Sequence, residues 1–124
     1  MDYRLESKGR GKFGTQLWEM EVGFKEMNAA QEIALFMEQV GEDPRIGPMH
    51  ISLYTAILYL WSVQGFDGPV IVSARTLMPV AKIAGPGPYH RSIRQLHEYG
   101  YIRYEPSCDP AKPSRVYLGQ IGEV

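Results

Sequence analysis

The sequence predicts a mainly helical domain closed by a small β-hairpin, and three observations carry that expectation. Apolar residues recur at helical spacing in four stretches, about residues 25–40, 49–64, 74–84 and 88–99. Gly/Pro-bearing breaks separate them, at Gly41 to Pro44, Gly65 to Pro69 and Gly85 to Pro88. Two strand-like runs, Tyr101 to Glu105 and Ser114 to Leu118, follow the last stretch and flank the proline-rich turn PSCDPAKP.

The chain of 124 residues fits one domain, and its 44% hydrophobic and 22% charged residues argue against wholesale disorder. The single cysteine, Cys108, excludes an internal disulfide framework, so the core must hold without covalent staples. No apolar run reaches the roughly 18 residues of a membrane span. Ile51 to Trp61 comes closest and is interrupted by Ser52 and Thr55. The start of the chain, MDYRLESKGRGK, has no apolar secretory segment. A cytoplasmic protein with no membrane partner is expected.

From the N-terminus, residues 1–12 are polar and read as a mobile tail. Trp18, Met20, Val22 and Phe24 fall on one side, with Leu17, Glu19 and Glu21 on the other, the period of a half-buried strand. Ala30, Ile33, Met37 and Val40 then mark the apolar stripe of a helix that Gly41 ends. Residues 1–45 are accordingly expected to form an N-terminal extension, a strand plus an amphipathic helix, that dimerises the protein. Residues 46–118 are expected to form the main domain, and 119–124 a C-terminal tail.

The next helix, 49–64, is apolar almost all round, which predicts burial on most sides. Val70-Ile71-Val72 is a β-branched run suited to a strand. Ser73 can accept from a free first-turn amide and so start a third helix carrying Leu77, Val80, Ala81 and Ala84. Pro79 lies inside that pattern, so the helix is either kinked there or starts only near it. Gly85 suits a left-handed helix end, and Pro88 is pre-set for the first turn of a helix over 88–99. On that helix Tyr89, Ile93 and Leu96 share the inward stripe, and Gly100 stops it.

Helix, strand, helix, tight turn, helix and hairpin is the order of a winged helix-turn-helix, mainly α with a small β wing. There the second helix of the motif enters the DNA major groove and the hairpin flanks it. The outward face of helix 88–99 would then present Arg91, Arg94, Gln95 and Glu98, with His90 near its start. Arg and Gln suit base-edge reading because their planar groups form paired hydrogen bonds. Arg75, Lys112 and Arg115 are placed to neutralise phosphates, and Glu98 is expected to pair with a base inside the protein. The whole chain has net charge −1. Residues 75–115 nevertheless carry seven Lys/Arg against three acids, whereas residues 1–46 carry six against nine. Binding depends on the local field of one face, so the segment balance is the relevant quantity.

The stretches ISLYTAILYLW (51–61), AKI (81–83), YHRSIRQLHEYGYIRYEPS (89–107) and SRVYL (114–118) resemble a family of small winged-helix proteins of Bacteroides-type chromosomes and mobile elements. Members are described as transcriptional or mobile-element accessory regulators. The similarity covers about residues 49–118, and LHEYGYIRYEPS is its most specific piece. It implies that Tyr89, His90, Arg91 and Arg94 lie on the DNA-reading helix, with Lys112 and Ser114 in the wing. Pro79 and the GPGP turn depart from the pattern, where members carry an ordinary helix former and a more polar turn.

Other chemistries find little support. His50, His90 and His97 lack zinc-ligand spacing and Cys108 has no cysteine partner, so no metal or cofactor is expected. No glycine-rich phosphate loop follows a strand, and Asp109 beside Cys108 disfavours a thiolate. The sequence therefore points away from an enzyme and toward sequence-specific binding of double-stranded DNA by a homodimer. Such a dimer would set two reading helices about 34 Å apart. The alternative is a winged-helix protein-interaction module that scaffolds a replication or transfer complex.

Overall fold

A computed structural model describes residues 29–109 and 111–118. The strand expected at 18–24, the N-terminal tail and the C-terminal tail lie outside them. The described chain is mainly helical, with a small three-stranded antiparallel sheet. No helix among the described residues is long and apolar enough to cross a membrane.

Helix α1 (29–40) is not a separate appendage. Phe36 is fully buried and stacks on Tyr54 with ring centroids 3.8 Å apart, while Tyr101 meets it edge-on at 5.3 Å. Ile33 and Val40 pack against the same core. The expected boundary at residue 45 thus falls inside one packed unit. Ala30 and Met37 of the expected stripe stay exposed, because the helix is rotated to aim Phe36 inward. The loop after α1 fastens it further. The Asp43 carboxylate receives the Arg45 backbone N–H at 3.0 Å, its Nε and Nη2 at 2.8 Å each, and the Tyr101 hydroxyl at 2.6 Å. The Arg45 guanidinium lies 4.0 Å from the Tyr99 ring centroid. Those donors, Arg45 first and then Tyr101, hold the Asp43 carboxyl well below the usual carboxylate range.

Helix α2 (Pro48–Val63) opens with Pro48 in its first turn, where a missing N–H costs nothing. His50 closes that end, its Nδ1 accepting from Gly47 N–H at 2.9 Å. Leu53, Tyr54, Ala56 and Ile57 are buried. Ile51, Leu58, Leu60 and Trp61 pack against the core on either side of that set, so most of the helix is covered as expected, and Met49, Tyr59 and Val63 mark the one exposed sector. Its neighbours are α1, through the Phe36–Tyr54 stack, the third and fourth helices and the first strand.

Strand β1 (Val70–Val72) buries Val70 and Val72 and exposes Ile71. Gln64, just past α2, meets the outward backbone of that strand. Ile71 N–H donates to Gln64 Oε1 and Gln64 Nε2 donates to the Ile71 carbonyl, both at 2.9 Å.

Helix α3 (Ala74–Ala81) has Ser73 as its N-cap, the Oγ accepting from Thr76 N–H at 3.2 Å. It starts at Ala74 and runs through Pro79, so a start near Pro79 is excluded. In so short a helix the proline removes a single bond, the one that would reach the Arg75 carbonyl. The left-handed end falls on Lys82 (φ 62°), not on Gly85 as expected, because Ile83 N–H turns back to the Met78 carbonyl at 3.0 Å. That closure buries Ile83.

Helix α4 (Pro86–Glu98) begins two residues before the expected start, with Gly85 extended at φ −110° as N-cap. Pro86 and Pro88 both fall in the first turn, whose N–H groups have no partner within the helix. Tyr89, Ser92, Ile93 and Leu96 are buried, which places the expected inward stripe correctly. Strands β2 (Arg103–Glu105) and β3 (Ser114–Tyr117) form the hairpin, and β1 adds to β3, giving the order β1-β3-β2. Val70 and Tyr104 both pair with Val116, while Ile71 and Glu105 both pair with Arg115. One sheet face therefore joins the core, and the other carries Ile71, Arg115 and Glu105 side by side.

Candidate functional site

Helix α4 presents one clean outward face. His90, Arg91, Arg94, His97 and Glu98 are all exposed, at the spacing of a single side of a helix. The hairpin stands beside that face because His97 Nδ1 accepts from Tyr104 N–H at 3.0 Å, fixing β2 against the last turn of α4. The hairpin loop is ordered by its own polar groups. Ser107 N–H donates to Ser114 Oγ at 3.1 Å, and Asp109 Oδ1 accepts from Ala111 N–H at 3.0 Å. Between α4, the loop and the start of α3 runs a groove of about 560 Å³.

His90, Arg94 and Lys112 line this groove together. Arg91 is exposed next to His90 on α4, and Arg75 is exposed next to Ala74, which also lines the groove. Arg75, Arg91, Arg94 and Lys112 form no ion pair among the described residues. Arg45, Arg103 and Arg115, in contrast, each lie within 4.0 Å of an acid. Glu98 was expected to pair with a base inside the protein, and no such pair forms among the described residues.

Three expected site residues are engaged within the protein. Tyr89 is 1% exposed, so its ring belongs to the core and only floors the groove; burial also pushes its hydroxyl well above the usual tyrosine range. Gln95 is half-buried and turned toward α2, its Oε1 2.7 Å from His50 Nε2. Because His50 Nδ1 accepts from Gly47, the proton sits on Nε2 and donates to Gln95. Paired reading of adenine needs both ends of the amide, and one is already used. Arg115 lies on the outer sheet face, where its Nη1 is 4.0 Å from Glu105 Oε1. Ser114, one residue earlier and on the opposite face, lines the groove instead.

Reading the sequence missed His97, Tyr104 and Ser73 as groove residues. His97 was legible, since it stands seven residues after His90 and three after Arg94, on the same helix face. Tyr104 and Ser73 enter only through the hairpin and sheet pairings, which local spacing does not carry. No group of three or more potential metal ligands occurs among the described residues. Comparisons with protein families, with curated proteins and with solved structures found no match to this chain.

Proposed function

We propose that the chain is a winged helix-turn-helix protein that binds double-stranded DNA in a sequence-specific way. In this reading α4 enters the major groove, with the β2–β3 hairpin as the wing beside it. One observation carries the reading: Arg91 and Arg94 on the outward face of α4, and Arg75 and Lys112 beside it, are exposed and form no ion pair among the described residues. Exposed cations that are not spent inside the protein are what a phosphate backbone requires. His90, Arg91 and Arg94 are the base-edge readers, and Arg75 and Lys112 hold the backbone. No catalysis, metal or cofactor enters this reading, and a cytoplasmic regulator of transcription or of a mobile element is the role it implies.

The test is a titration of the full chain against duplex DNA at several salt concentrations. The two backbone contacts, Arg75 and Lys112, give a slope of log affinity against log salt of about −2 for each bound chain. Arg91→Ala and Arg94→Ala should each cost roughly 1–3 kcal/mol on the preferred sequence and little on others, while Lys112→Ala weakens all sequences alike. Absence of binding at low salt ends the proposal. A second reading, a protein-interaction module, draws on Tyr59 and Val63, exposed one turn apart on α2. Those residues, with exposed Met37, are also the surface a homodimer would use, and light scattering on the full chain reads that directly.

A further inference from the structure

The groove between α4 and the hairpin contains charges that a phosphate strand does not explain. Glu98 stands one turn beyond Arg94 along the same wall, and Asp109 and Lys112 both line it from the hairpin loop. A slot built for a polyanion would exclude the two carboxylates, whose repulsion opposes it. No ion pair within 4.0 Å joins Arg94, Glu98, Asp109 or Lys112, so both signs stay open to a ligand. Tyr104 is half-buried against the groove, and Pro106 and Pro113 supply flat apolar surface around it. At about 560 Å³ the space is in the range of small-molecule sites and is too small for a folded partner.

We propose that this groove binds a small zwitterionic molecule with a flat aromatic body. Its anionic group meets Arg94 and Lys112, its cationic group meets Glu98 and Asp109, and its ring lies against Tyr104 and the prolines. Such a ligand occupies Arg94 and Lys112, so it competes with DNA. That consequence alone rests on the reading of the previous section; the site itself does not.

The experiment follows backbone amide shifts of the full chain, without DNA, on addition of L-tryptophan, L-tyrosine or L-phenylalanine. At least one should move the amides of Arg94, Glu98, Tyr104 and Ser114 at concentrations up to about 10 mM. For L-tryptophan, the matched probes tryptamine and indolepropionate each lack one charge and should bind at least about threefold more weakly. Arg94→Gln should erase the preference over tryptamine, and Glu98→Gln the preference over indolepropionate. Silence toward all three amino acids, shifts centred outside the groove, or equal shifts with inorganic phosphate would each overturn the proposal. A positive result on a chain that fails to bind DNA keeps the site and removes only the competition.

Discussion

Replacing Phe36 by alanine tests whether α1 belongs to the domain core. The ring is fully buried, stacked on Tyr54 at 3.8 Å and met edge-on by Tyr101 at 5.3 Å. Phe→Ala at such a site removes the transfer energy of the ring and leaves a cavity that the flanking aromatics cannot close. The cost is about 3–5 kcal/mol, part of it from the two aromatic pairs at about 0.5–1.5 kcal/mol each. Against a total stability of about 5–15 kcal/mol for a domain, that brings the protein close to unfolding. For a domain of this size 1 kcal/mol is worth about 4–8 °C, so Tm should fall by at least about 12 °C. Met37→Ala is the control, because Met37 on the same helix is 47% exposed and should cost under about 1 kcal/mol. Urea unfolding followed by circular dichroism measures both. If Phe36→Ala and Met37→Ala shift the midpoint equally, α1 is not part of the cooperative unit, and the boundary expected near residue 45 would stand.

Gln95→Leu leaves the buried Nε2–H of His50 without its acceptor and should cost about 1–3 kcal/mol. Gln95→Glu, which keeps an acceptor, should retain most of that in the same unfolding assay. At alkaline pH the buried tyrosines set the stability. Burial raises Tyr54, Tyr89 and Tyr101, the last pushed up to about 12 with Asp43 adding to the effect. The unfolded chain loses these protons near pH 10 while the folded chain keeps them. Stability should therefore be full below pH 10 and fall above it, by about 1.4 kcal/mol per pH unit for each of Tyr54 and Tyr89. Tyr54→Phe should flatten that fall in Tm measured between about pH 9 and pH 11. Asp43 acts at the other end: its depressed carboxyl stabilises the fold above the ordinary carboxylate range, and that contribution is lost as pH drops below about 4. Asp43→Asn should remove this acid-side dependence in the same Tm series.

Much of the architecture was legible because it rests on local chemistry. Ser73 as a cap, Gly100 at φ 89° and the inward set Tyr89, Ile93 and Leu96 all follow from spacing and backbone freedom. What was not legible depends on partners distant in sequence. Phe36 is the anchor of α1 because Tyr54 and Tyr101 form a slot for it, and no helical period reports a slot. Gln95 falls between the inward and outward faces of α4, and only the presence of His50 decides which way it turns. Arg115 and Ser114 are adjacent, and which one faces the groove is set by the register with Glu105 and Ile71. Gly85 lost its expected left-handed role to Lys82, because Ile83 gains burial if the helix closes three residues early.

The two side chains that meet the sheet from outside have a consequence for growth. A three-stranded sheet ends in two open borders, each a template on which a foreign strand can add and recruit the next. Here Gln64 answers the outward amide and carbonyl of Ile71 on one border, and His97 answers the amide of Tyr104 on the other. The sheet is terminated by the helices that precede its strands. One amide-to-aliphatic change at Gln64 would reopen a border where the exposed Ile71 side chain is already apolar. Protection of the β1 border against strand addition should therefore depend on Gln64, as that of the β2 border depends on His97.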